Sequence, residues 1–173
     1  MAVKQKTIRV VIGKVGCDIH ERGALVLARA FRDAGMEVIY LGRFQTADAV
    51  AKTAVDEDAS VIALSDHTGS MRYIAVDVVA ALKKYGGTDI PVIAGGLIAR
   101  RDLPFLEKLG VTGNFGPGTP LPVVIDHIRK TVEKGDSDSA RLESVDSTRK
   151  DSRSRVKTGG AAATIQEHHG HDR

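Results

Sequence analysis

Apolar residues in this chain fall into five short, nearly unbroken runs, separated by longer stretches in which they recur every three or four positions. The first run, Ile8-Arg9-Val10-Val11-Ile12-Gly13, is almost wholly β-branched, as expected of a central parallel strand buried on both faces. The others are Met36 to Leu41, Ser60 to Ser65, Pro91 to Ala94 and Val111 to Phe115. Helical spacing fills the gaps. Ala24 to Ala34 carries Leu25, Ala28 and Phe31/Arg32 on repeating turns and stops at Gly35, a typical C-cap. Thr46 caps a second helix whose inward face is Val50, Thr53/Ala54 and Ala59. Met71 to Tyr85 has Ile74, Val78 and Leu82 at four-residue intervals and ends at Gly86-Gly87. Asp102 to Leu109 is a short helix ending at Gly110. Leu121 to about Lys134 closes the series, with Val124, Ile125, Ile128 and Val132 on one side.

Five strands alternating with five helices call for an α/β fold, a parallel sheet covered on both faces by helical crossovers. The flavodoxin-like, doubly wound order 2-1-3-4-5 is expected, because it sets the ends of strands 1 and 3 side by side at a switch point. From residue 136 the composition turns to Ser, Asp, Lys and Arg without aromatic residues or periodicity. A domain over 1–135 and a disordered polar tail over 136–173 follow. His168, His169 and His171 lie in that tail, where a stray metal ion is the weaker reading.

Composition narrows the function classes. Of 173 residues, 42% are hydrophobic and 27% charged, ordinary for a globular protein. A formal charge of +3 and 4% aromatic residues argue against a nucleic-acid partner. Cys17 is the only cysteine and forms no intrachain disulfide. No apolar run is long enough to span a bilayer and no signal-peptide pattern is present, so a cytoplasmic protein with no membrane partner is expected.

The chemistry concentrates in Lys14-Val15-Gly16-Cys17-Asp18-Ile19-His20-Glu21-Arg22-Gly23. This connection leaves the carboxyl end of strand 1 and is longer than the roughly 2–6 residues such links take, the mark of a working loop. Asp18 and His20 are two apart and Lys14 is four before Asp18, so one turn gathers a cation, a carboxylate and an imidazole. A carboxylate accepting one ring N–H fixes the tautomer and frees the other nitrogen for a metal. One histidine cannot hold a free ion, but it can fill the axial position of a metal already held by a macrocycle. Two rivals share parts of the pattern. A dinucleotide fold lacks G-x-G-x-x-G spacing at Gly13, Gly16 and Gly23. A phosphate-accepting receiver would carry acidic residues where this chain has Gly13-Lys14.

Asp18-x-His20-x-x-Gly23, Ser65 and Gly95-Gly96 together resemble the cobalamin-binding domain in which the cofactor's lower base is displaced and a histidine binds cobalt. More narrowly, Lys14 to Gly23, Phe44-Gln45-Thr46 and Phe115-Gly116-Pro117-Gly118-Thr119 resemble the acyl-CoA mutases related to methylmalonyl-CoA mutase, over roughly residues 7 to 134. The resemblance implies His20 as the cobalt ligand, with Asp18 and Lys14 as its hydrogen-bonded relay. It implies a cofactor cradle that also takes in Ile19, Glu21, Arg22, Gly23, Ser65, His67, Gly69, Gly95, Gly96, Phe115, Gly116 and Thr119. In it, Ser65 offers a hydroxyl to the buried base nitrogen, and the glycines leave room for the displaced tail. One departure stands out. The family's S-x-L after strand 3 is Ser65-Asp66-His67 here, which implies a rebuilt wall with His67 donating to the tail.

The resemblance further implies a small, adenosylcobalamin-binding subunit of an acyl-CoA mutase, active only with a separate large subunit that carries the acyl-CoA-binding barrel, as a heterotetramer of two large and two small chains. Methylmalonyl, isobutyryl and 2-hydroxyisobutyryl thioesters all fit, because the barrel sets the acyl group. A corrinoid carrier for methyl transfer is the alternative. Such carriers usually place a helical cap before the sheet, and only six residues precede strand 1. A non-catalytic cobalamin-binding module is a third reading.

Overall fold

A computed structural model of the chain describes residues 7–135 and 137. The polar tail expected from 136 onward, with its three histidines, lies outside the described residues except for Ser137. Five strands, β1 (Arg9–Gly13), β2 (Glu37–Tyr40), β3 (Val61–Asp66), β4 (Val92–Gly96) and β5 (Val111–Phe115), form one parallel sheet in the order β2-β1-β3-β4-β5. Between them run α1 (Arg22–Asp33), α2 (Ala47–Asp56), α3 (Met71–Tyr85) and α4 (Leu103–Lys108, entered through a 3-10 turn at Arg100–Asp102). A last helix, α5, covers residues 121–135.

The strand pattern follows from burial. Every residue of β3 is buried, as a central strand under two helical layers requires. Successive side chains of β1 alternate between the layers: Val10 and Ile12 pack with α1 and α5, while Val11 packs with α2 and α3. Edge strand β2 is only half-buried.

The helices differ in detail from the sequence expectation. In α1 the residues against the sheet are Ala24, Ala28 and Phe31, while Leu25 is 49% exposed. Spacing alone does not choose between neighbouring stripes, and two alanines let α1 approach the sheet closely while Leu25 and Val26 fall to its flank. In α2 the buried set is Val50, Ala51 and Ala54, so Ala51 takes the place assigned to Thr53. Thr46 caps α2 as expected, its hydroxyl accepting from Ala49 N at 3.0 Å.

Gly95 and Gly96 are strand rather than turn residues, paired with Ser65 and Asp66. Gly96 has φ +123°, and a Cβ built there would lie 1.9 Å from the Asp66 carbonyl oxygen. Backbone cannot yield as a flexible side chain can, so Gly96→Ala is expected to lose at least about 3 kcal/mol of stability, read as a lowered thermal midpoint by circular dichroism.

Candidate cofactor site at the strand ends

The loop after β1 is held open by backbone pairing. Gly16 N donates to Gln45 O at 3.0 Å, Gln45 N donates to Lys14 O at 2.9 Å, and Val15 bridges Gln45 in parallel register. The Gln45 side chain turns back to the Leu41 carbonyl at 2.7 Å. Phe44-Gln45-Thr46 thus braces the loop on one side and starts α2 on the other.

Inside the loop lies a buried ion pair. Lys14 is 0% and Asp18 1% exposed, with Lys14 Nζ 2.5 Å from Asp18 Oδ2. His67 N donates to the same oxygen at 3.0 Å. Oδ1 accepts from His20 N at 2.9 Å and lies 2.8 Å from His20 Nδ1. Burial alone would push the Asp18 carboxyl up. The ammonium of Lys14, the backbone and ring of His20 and the amide of His67 outweigh it, holding the group far below the usual carboxylate range. An ionised carboxylate only accepts, so His20 Nδ1 carries a proton toward it, and in the neutral ring Nε2 holds the lone pair. The His20 side chain is 63% exposed at the rim, so that lone pair faces outward.

Beside this relay a cavity of about 220 Å³ opens between the β3–β4 face of the sheet and the helices α1 and α5. Its floor is Ala63, Ser65, Ile93, Gly95 and Gly96; its walls are Gly23, Val26, Leu27 and Phe31 of α1, with Leu121 and Val124 of α5. Phe115 to Thr119 and His67 border it. The lining side chains are apolar apart from Ser65, His67 and Thr119, whose hydroxyl is committed to the Gly116 carbonyl. The Ser65 and His67 side chains have no hydrogen-bond partner among the described residues, so both retain polar capacity.

Residues 8–125 match the family model described as B12 binding domain. The chain belongs to the B12-binding domain family. It is 41% identical over 128 residues to the 2-hydroxyisobutanoyl-CoA mutase small subunit of Aquincola tertiaricarbonis, covering 74% of this chain and 94% of that one. To the methylmalonyl-CoA mutase of Escherichia coli (strain K12) it is 40% identical over 121 residues, 70% of this chain but 16% of that far longer one. Among solved structures, a cobalamin-binding protein from Desulfitobacterium hafniense DCB-2 superposes with a TM-score of 0.62 at 20% identity, over 73% of this chain and 60% of that one. That last likeness is one of fold.

In the structure the residues named from sequence divide into three groups. Lys14, Asp18 and His20 form the relay. Gly23, Ser65, His67, Gly95, Gly96, Phe115, Gly116 and Thr119 line or border the slot. The rest stand outside both. Ile19 is 62% exposed beside His20, Arg22 is exposed on the first turn of α1, and Gly69 is an exposed turn residue with φ +80°. Glu21 faces β2. Tyr40 Oη donates to Glu21 Oε1 at 2.8 Å and Arg43 lies 3.5 Å from Oε2. Burial and that bond push the Tyr40 hydroxyl up to about 12. Asp66, which the receiver reading would use, is fully buried and accepts from Thr68 N, Thr68 Oγ1 and Ser70 N.

Sequence reasoning missed the helical walls: Val26, Leu27 and Phe31 on α1, Leu121 and Val124 on α5. A signal was present in Leu25-Val26-Leu27, three apolar residues in succession where a helix lying on a sheet buries about one in three.

The slot leaves room for part of a cobalamin. A Cβ on Gly116 would meet nothing within 4 Å, and one on Gly95 would project beside the Phe115 carbonyl at 3.5 Å, so the glycines leave space a side chain would take. No three His, Cys, Asp or Glu side chains among the described residues converge as a metal site. Among the described residues no helix is long and apolar enough to cross a membrane.

Proposed function

We propose that this chain is the cytoplasmic, cobalamin-binding small subunit of an adenosylcobalamin-dependent acyl-CoA mutase, with His20 as the lower axial ligand of cobalt. It works with a separate large subunit carrying the acyl-CoA-binding barrel, as a heterotetramer of two large and two small chains. The observation that carries the reading is the buried Lys14–Asp18 pair holding His20 Nδ1, next to an apolar slot at the same rim. Coverage of 94% of a small subunit, against 16% of a mutase with its domains in one chain, supports a separate partner. The substrate class is a short branched acyl-CoA, methylmalonyl, isobutyryl or 2-hydroxyisobutyryl, and the small-subunit likeness favours the last.

When bound, adenosylcobalamin supplies homolytic cleavage of its Co–C bond, the start of a radical rearrangement that moves the carbonyl-CoA group to the neighbouring carbon. The protein's own work is binding and tuning. Lys14 keeps Asp18 ionised, Asp18 holds the proton on His20 Nδ1, and this sets the basicity of Nε2 toward the metal. Packed walls on α1 and α5 keep water from the displaced base. Ser65 offers that base a hydroxyl.

Because the Ser65 hydroxyl has no hydrogen-bond partner among the described residues, Ser65→Ala is expected to leave the thermal midpoint unchanged while weakening cobalamin binding roughly five- to tenfold in an absorbance titration. The reading as a whole is tested by electron paramagnetic resonance of the cob(II)alamin complex prepared with ¹⁵N-histidine. A nitrogen splitting that changes with the label supports it, and one indifferent to the label removes it. Mutase turnover is expected only when the loaded chain is mixed with the large subunit.

A further inference from the structure

His67 is the slot residue whose capacity the relay does not use. Its backbone amide is committed to Asp18 Oδ2, but neither ring nitrogen has a hydrogen-bond partner among the described residues. The ring centroid lies 5.9 Å from that of His20. Nε2 is 3.7 Å from the point a Cβ on Gly23 would occupy. The imidazole therefore stands at the mouth of the slot, between the axial side chain and the cavity, and glycine at position 23 leaves it uncovered.

Its place just past the end of β3 says what it meets. Ser65 and His67 both line the slot. Ser65 lies within β3 and His67 is the first residue past its end, so His67 sits nearer the rim. With the base of the cofactor's tail level with Ser65, the group level with His67 is the sugar-phosphate that joins base to macrocycle. An apolar side chain there would desolvate the anion without compensation, whereas an imidazole presents an N–H in either tautomer and either charge state.

We propose that His67 donates a ring N–H to the anionic phosphodiester of the cofactor's nucleotide tail, and that this contact makes the chain select corrinoids carrying a phosphate at that point. The inference rests on the cofactor reading above. Its test is an absorbance titration of the parent, His67→Leu and His67→Gln with aquocobalamin, cobinamide phosphate and cobinamide, the last also in the presence of inorganic phosphate.

His67→Leu is expected to bind cobalamin and cobinamide phosphate roughly ten- to a hundredfold more weakly than the parent, and cobinamide equally well. His67→Gln, which keeps an N–H donor, recovers part of the loss. Inorganic phosphate leaves cobinamide binding by the parent unchanged, since the contact is to the tethered group. An equal loss on all three corrinoids overturns the proposal, because His67 would then act only through Asp18 and His20; no loss on any overturns it too. A parent chain that binds none of the three removes the cofactor reading along with this one. A parent that binds cobalamin while the His67 series stays flat sinks this inference alone.

Discussion

His20→Ala is expected to bind cobalamin without the spectral change of base-off, histidine-on coordination, and at least about a hundredfold more weakly than the parent. Loss of an outer hydrogen-bonding partner of a metal ligand already costs about 10–100-fold, and removing the ligand itself exceeds that. The fold is not at stake, since the His20 side chain is 63% exposed and contributes little packing. An absorbance titration with an unchanged far-ultraviolet circular dichroism spectrum separates the two effects. If the variant titrates like its parent, cobalt is held from elsewhere and the ligand assignment fails.

Lys14→Met addresses the layer beneath. The substitution keeps the length of a fully buried side chain but removes its charge, leaving Asp18 at 1% exposure without its cation. Breaking a buried ion pair on one side costs about 3–5 kcal/mol, because the surviving charge stays buried and uncompensated. The expected result is a fall of that size in the free energy of unfolding by urea titration. The acid limb changes as well. Asp18 is depressed in the folded chain below its unfolded value of 3.8, so its contribution is full above that pH and drains away as the pH falls through the folded value. Lys14→Met removes the main support of that depression, and its stability is expected to depend less steeply on pH below about 4. A variant within about 1 kcal/mol of the parent at neutral pH would show that the pair is not ionised in the folded chain.

How much of this was legible in the sequence depended on how local each feature is. The strands were plain because central parallel strands are buried on both faces and read as solid apolar runs, as in Val10-Val11-Ile12 and Val61 to Leu64. The relay was plain because Lys14, Asp18 and His20 share one loop. The donation from His67 N to Asp18 spans 49 positions and left no local trace. The helical walls of the slot were not legible either, since the gap between α1 and α5 is set by how two helices rest on the sheet. Glu21 shows the limit of motif reasoning. Its place beside His20 argues for the cofactor, while its carboxylate ties the start of α1 to Tyr40 and Arg43.

The Asp18 side chain has four donors converging on it, two on each oxygen: His20 N and Nδ1 on one, Lys14 Nζ and His67 N on the other. Three of these, the two backbone amides and the ammonium, can only give a proton, and the ring nitrogen gives one in the tautomer that the carboxylate selects. An amide of the same shape has one accepting end, and its NH₂ would confront two donors if turned to Lys14 and His67 and the His20 backbone amide if turned the other way. The longer homologue would move both oxygens off their partners. Position 18 thus tolerates neither its nearest isostere nor its nearest chemical relative, and the constraint comes from counting lone pairs before any cofactor is considered.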